Sequence, residues 1–120
     1  MTQPKTIADN YLDVWNEADA TERRALLSNG WAANALYSDP IMTGKGREGV
    51  ATMIEGARTQ FPGHRFTLRG TPDGHGAFVR FSWTLAPVGG AAVDGGTDIL
   101  RLDGDRRIAE VIGFLDGSVA

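Results

Sequence analysis

Apolar positions recur at helical spacing through the first half of the chain and at strand spacing through the second. Ile7, Tyr11, Val14 and Trp15 fall at i, i+4, i+7 and i+8, which predicts an amphipathic helix over roughly Lys5 to Glu17. A second helix follows at once. Asp19 is placed to cap it, Glu22 stands at capping-box spacing, Ala25 and Leu26 form its body, and Asn29-Gly30 is its stop. From Trp31 to Asp39 the period shortens: Ala35, Tyr37 and Asp39 alternate with Leu36 and Ser38, a short strand that Pro40 closes. Gly44 and Gly46 predict a loop. Val50, Met53, Ile54, Ala57 and Phe61 return to helical spacing, and Pro62-Gly63 ends this third helix.

Beyond Gly63 the pattern is that of strands. His64, Phe66 and Leu68 share one face, with Arg65, Thr67 and Arg69 on the other. Thr71-Pro72-Asp73-Gly74 reads as a turn, Ala77 to Leu85 as a long strand, and Pro87 to Gly90 as the next reversal. Thr97 to Leu102 and Ile108 to Leu115 are strands around a turn at Asp103-Gly104-Asp105. Helices segregated ahead of strands predict the α+β class: three N-terminal helices packed into a strongly curved antiparallel β-sheet, one domain over residues 1–120. Gly95, Gly96 and Gly113 are placed to let strands bend. Three helices cannot fill such a sheet, so a pocket for a small, hydrophobic molecule is expected.

Composition removes several classes of chemistry. The chain has no cysteine, which excludes disulfides, thiolate nucleophiles and cysteine–zinc sites. Its net charge of -3 and scattered lysines and arginines give no footprint for nucleic acid. His64 and His75 are too few, and too far from any HxxxH spacing, for a dedicated metal centre. No apolar run reaches the roughly 18 residues that cross a bilayer, and Met1 to Lys5 does not read as a signal peptide. A cytoplasmic protein without membrane, nucleic-acid, metal or cofactor partners is the expectation. Ser28, Ser38, Ser82 and Ser118 lack a GxSxG context, and Gly44-Lys45-Gly46 is too short for a phosphate loop.

Two acids stand out. Asp39 ends an apolar stretch and precedes Pro40, with Tyr37 on the same strand face. A partly desolvated carboxylate there is a usable general base; the same dipeptide is also a common turn brace. Asp98 interrupts a β-prone run and shares its face with Leu100 and Leu102, so it lies either at the wet end of the strand or inside the cavity. Arg80 and Ser82 share a face opposite Val79, Phe81 and Trp83; Arg80 is an anchor for an anionic group or part of a solvated or subunit-facing surface. His64, on a face with Phe66 and Leu68, is a core residue or a proton carrier, while His75 is an exposed turn residue. Tyr11 and Trp15 are core residues or ligand donors.

Tyr11 through Trp15-Asn16, Tyr37-Ser38-Asp39-Pro40, the helix start Gly46-Arg47-Glu48-Gly49, and Gly96-Thr97-Asp98 with Arg107-Ile108 together resemble the nuclear transport factor 2-like superfamily. Within it the chain is most similar to the SnoaL-like branch, which groups polyketide-cyclase-like and ketosteroid-isomerase-like proteins. The resemblance covers nearly the whole chain and implies the fold more strongly than the activity. On the ketosteroid isomerase pattern, Asp39 before Pro40 takes the place of the base, and Tyr11 and Asp98 the places of the groups that hold an enolate oxygen. Asp98 is also an acid-base candidate on the cyclase pattern. The epoxide hydrolase pattern does not fit: it needs Arg-x-Asp where this chain has Arg80-Phe81-Ser82, and a carboxylate where it has Gly113.

The resemblance implies cofactor-free isomerase or cyclase chemistry, with Asp39, Asp98 and Tyr11 as catalytic residues. Trp15, Tyr37, Phe61, His64, Phe66, Val111 and Leu115 are the expected substrate-binding walls. The alternative is a non-catalytic domain that binds a small hydrophobic ligand. The superfamily habit of pairing through the sheet, with apolar residues on both faces of Ala77 to Leu85, implies a homodimer.

Overall fold

The structure is a computed structural model that describes residues 3–117; Met1, Thr2 and residues 118–120 lie outside the described residues. Helix α1 spans Pro4–Asn16 and buries Ile7, Ala8, Tyr11, Leu12, Val14 and Trp15. Its opening proline has the φ that a first turn requires and lacks an N–H that would go unused there. Helix α2 spans Ala20–Gly30, and the Asp19 carboxylate accepts the Glu22 N–H at 3.0 Å. The other half of the capping box comes from Glu17, whose Oε2 accepts the Asp19 N–H at 3.0 Å. Helix α3 spans Gly46–Gln60 and is entered through Gly46, whose φ of 68° favours glycine.

Six strands form one sheet: β1 (Trp31–Ser38), β2 (Thr43–Lys45), β3 (His64–His75), β4 (Phe78–Pro87), β5 (Asp94–Leu102) and β6 (Ile108–Leu115), in the order β2-β1-β6-β5-β4-β3. Neighbours are antiparallel except β1 and β6, which run parallel. The sheet is therefore mixed, not wholly antiparallel. No hairpin joins β1 to β6; the chain returns through β2, α3 and three further strands, and β6 lands beside β1 in the direction that its hairpin with β5 dictates.

Three local readings change. The loop expected at Gly44 contains β2, which folds back on β1 with Ser38 opposite Thr43 and Tyr37 opposite Gly44. Thr71 to Gly74 is not a turn. Strand β3 continues through it with a register shift between Arg69 and Asp73, and the chain reverses at Gly76. Pro72 is tolerated because β3 is an edge strand, where a missing N–H costs no ladder bond. Strand β5 begins at Asp94 and so includes Gly95-Gly96.

The inner face of the sheet carries Ala35 and Tyr37 from β1, Val79, Phe81, Trp83 and Leu85 from β4, Leu100 and Leu102 from β5, and Val111 from β6. All are buried in one core with the apolar faces of α1 and α3. The outer face carries the exposed Leu36, Ile112 and Phe114. Arg80 is on that outer face too, bonded to Asp73 at 2.8 Å, and Ser82 meets Thr97 at 2.8 Å. Neither reaches the interior, and His75 is exposed. None of the described helices is long and apolar enough to cross a membrane.

Two polar ties fix α1 and α2 on this frame. The Asn16 amide donates to the Phe66 carbonyl and accepts the Phe66 N–H, both at 2.8 Å, so it serves as a partner for the edge strand. Arg23 is 2% exposed. Its Nε and Nη2 donate to the Glu17 carbonyl at 3.1 and 2.9 Å, and its Nη1 meets Glu55 at 2.6 Å. Arg23→Ala leaves that carbonyl without its partners and opens a buried gap, so we expect a loss of about 2–4 kcal/mol. Arg24→Ala removes only an exposed pair with Glu48 and should leave stability nearly unchanged. Denaturant unfolding of the two variants measures the difference.

Candidate functional site

The space that the helices leave unfilled is a cavity of about 630 Å³. Trp15 from α1, Tyr37 from β1, Phe61 after α3, Phe66 from β3 and Leu115 from β6 line it, together with Asp39 and Asp98. Trp83, Leu85, Leu12, Met42 and Met53 complete the apolar wall, and Asp94 adds a third carboxylate. Trp83 was legible in the sequence as the inward neighbour of Phe81; nothing local marks Asp94.

Three expected site residues stand elsewhere. Val111 is fully buried in the core beneath the cavity. His64 is half-buried outside it, its ring against Phe61 and its Nδ1 3.0 Å from the Pro62 carbonyl. Tyr11 is 1% exposed and stands behind the wall, with its ring edge-on to Phe81 at 5.2 Å.

The polar groups form two tyrosine–aspartate pairs. The Tyr11 hydroxyl donates to Asp98 Oδ2 at 2.8 Å, so the first helix is bonded to the fifth strand inside the core. The Tyr37 hydroxyl donates to Asp39 Oδ2 at 2.7 Å. Asp39 Oδ1 accepts the N–H groups of Ile41 and Met42, both at 2.9 Å, and these bonds brace the β1–β2 reversal. Asp39 is thus both a turn brace and a wall residue, with its two oxygens divided between the tasks. The Trp83 indole stands beside the same carboxyl as Tyr11, Asp98, as a second donor.

Gly113 brings the pairs together. It lies opposite Asp98 in the β5–β6 register. A Cβ at this position would stand 2.9 Å from Asp98 Oδ1, 3.1 Å from the Asp39 Cβ and 3.4 Å from the Tyr37 hydroxyl. The missing side chain is what lets both acids and the Tyr37 hydroxyl crowd over one point of β6. Gly96 serves Trp83 in the same way, since a Cβ there would meet the indole at 2.7 Å.

Burial dominates the electrostatics. Asp98 is 4% exposed, and burial pushes its carboxyl up from 3.8 to about 6. The Tyr11 bond and the nearby Trp83 indole oppose this, and the charge of Asp39 adds to it. Burial, then the charge of Asp98, holds both Tyr11 and Tyr37 above the usual phenol range, so they remain donors. Among the described residues no three acids or histidines are grouped to hold a metal ion.

Fold and site define an α+β domain around an apolar cavity with carboxylates in its wall. The SnoaL-like domain model matches residues 8–111, and the chain belongs to that family. A SnoaL-like family protein from Agrobacterium tumefaciens str. C58, whose proposed activity is isomerisation, is 56% identical; the match covers 98% of this chain and all of that one, with a TM-score of 0.94. A protein with a cystatin-like fold from Nostoc punctiforme is 12% identical over 98% of this chain and 91% of that one, with a TM-score of 0.72. One with a ketosteroid isomerase-like fold from Catenulispora acidiphila, solved with trimethylamine, is 17% identical over 93% and 85%, with a TM-score of 0.73. The last two are likenesses of fold alone. No curated protein matches the chain.

The buried acid has a thermodynamic signature. Native Asp98 holds its proton to about pH 6, whereas an unfolded chain releases it near 3.8. Between these values the native state binds more protons, so the Asp98 contribution falls as pH rises from about 4 through about 6. Asp98→Asn removes this dependence and keeps an acceptor for Tyr11. We expect the variant to match the parent near pH 4 and to exceed it at pH 8 by up to about 3 kcal/mol. Denaturant unfolding of both proteins across that range checks the sign.

Proposed function

We propose that the chain is a cofactor-free enzyme that moves a proton on a hydrophobic carbonyl compound held in the cavity. The observation that carries this reading is that Asp39 and Asp98 line one cavity and meet over Gly113 while their surroundings differ. Environments that separate two acids are how one site obtains a base and an acid. Asp39 is the base: three donors engage it, and one lone pair of Oδ2 is left for a proton alpha to a carbonyl. Asp98, in its protonated form, donates through Oδ1 to the oxygen on which negative charge develops. Tyr11 does not line the cavity; it is a positioning residue that holds Asp98 by the other oxygen.

The test is exchange of α-hydrogens of a cyclic enone or a β,γ-unsaturated ketone for deuterium, followed by NMR. Asp39→Asn keeps the backbone bonds of the turn and should lose about 100- to 10,000-fold in rate with its unfolding midpoint nearly unchanged. A folded, fully active variant overturns the assignment of Asp39. One observation favours a second reading, a non-catalytic binding domain: the turn brace made by Asp39 Oδ1 is of use to any member of the fold. That reading predicts ligand binding without exchange in the parent as well.

We further propose that a second copy of the chain covers the outer face of the sheet. Leu36, Ile112 and Phe114 lie exposed there beside Thr97 and Ser82, and few soluble surfaces leave such a patch open. Light scattering should give twice the chain mass for the parent, and Phe114→Lys should shift the protein to monomer. A monomeric parent overturns the proposal.

A further inference from the structure

The cavity holds an imbalance of charge that its proton chemistry does not use. Among the described residues that line it, three are aspartate and none is lysine, arginine or histidine. Arg23, Arg58 and Arg69 are committed elsewhere, to Glu55, to the Trp15 carbonyl and to Asp116. Asp98 is the sharpest case, a nearly buried carboxyl with only the Tyr11 hydroxyl and the Trp83 indole as donors and no cation beside it. A buried acid of this kind is costly unless something of opposite charge completes the site.

The walls favour the same kind of occupant. Tyr37, Trp15, Phe66 and Trp83 follow one another as a chain of touching rings, with centroids 5.7, 5.2 and 5.2 Å apart. All four line the cavity. The indole nitrogens of Trp15 and Trp83 are buried away from the cavity, that of Trp83 beside Asp98, so these walls offer ring carbons to a ligand. Electron-rich ring faces beside carboxylates are the chemistry that recognises alkylammonium groups. The carboxylates are not grouped as metal ligands, which points to an organic cation.

We infer that the cavity takes a hydrophobic amine in its cationic form, seated against the aromatic chain with Asp98 and Asp39 as counter-charges. The inference concerns binding above the titration of Asp98 near pH 6, where that carboxyl is ionised, and does not rest on the proton transfer proposed above, which uses its protonated form. Groups that face Asp98 are Tyr11 from α1, Tyr37 from β1, Asp39 just past its end and Trp83 from β4, while β6 contributes Gly113. None is a cation, so the ligand is the sole source of positive charge at this point among the described residues.

The probes are benzyltrimethylammonium and its uncharged isostere neopentylbenzene, titrated against the parent by tryptophan fluorescence and calorimetry at pH 7.5. Benzyltrimethylammonium should bind at least about tenfold more tightly. Asp98→Asn should still bind neopentylbenzene, which shows an intact cavity, and should lose most of the preference for the cation. Equal or tighter binding of neopentylbenzene by the parent overturns the inference, as does a preference for the cation that survives in both Asp98→Asn and Asp39→Asn. Failure to bind the cation also overturns it. α-Hydrogen exchange on an uncharged enone, run in parallel, separates the two ideas. Exchange without a preference for the cation sinks only the amine; preference for the cation without exchange on any ketone sinks only the proton chemistry.

Discussion

The constraint on which this structure turns is the burial of Asp98. A carboxyl group among aromatic rings loses its hydration, and a single phenol returns only part of it. The bond from Tyr11 spans 87 positions of sequence and joins the first helix to the middle of the sheet. The rest of the site follows from making room for that carboxyl. Gly113 opens the neighbouring strand to it, and Gly96 lets Trp83 fold down beside it. Tyr37 and Asp39 approach from β1, which β6 holds in parallel register with Tyr37 opposite Val111. Replacing a buried acid by apolar side chains of the same volume is often neutral or stabilising, so the fold alone gives no reason for Asp98.

Much of this was legible in the sequence because burial writes a period. The stripe of α1 and the alternation of β1 and β4 are each set by one face meeting the core, and residues such as Tyr11, Trp15, Phe81 and Trp83 fall on the expected side. Asp98 could be placed on an inward face by its neighbours Leu100 and Leu102. What local pattern does not contain is direction and context. The parallel pairing of β1 with β6 depends on where the chain lands after five other elements. Thr71 to Gly74 has the composition of a turn, yet an edge strand has no use for the N–H that Pro72 lacks. Arg23 has the composition of surface, yet it is buried because three acceptors at the end of α1 and on α3 surround its guanidinium.

The walls divide in the same way. Side chains on the inward face of an element were identifiable, but whether they touch empty space or other side chains depends on how far the helices reach. Val111 points inward and is covered completely, while Leu115, two alternations further along β6, reaches the cavity. His64 is on the face of Phe66 at the frayed start of β3, where the Pro62 carbonyl and the ring of Phe61 hold it outside. These are differences of depth along one face, and period alone carries no information about depth.

Asp39 shows why two readings of one residue need not compete. The brace for the reversal uses Oδ1, and the tyrosine bond uses Oδ2. Because Ile41 and Met42 donate to Oδ1, the carboxyl plane is fixed by the backbone rather than by a rotamer choice, and Oδ2 is fixed with it. The hairpin that creates β2 is therefore the device that aims the other oxygen. An aspartate that merely capped a turn would not need a buried phenol on its second oxygen. An acid aimed only by packing would not need two backbone donors on its first. The presence of both sets of bonds on one side chain, a few ångströms across Gly113 from Asp98, is the feature on which the proposed proton transfer rests.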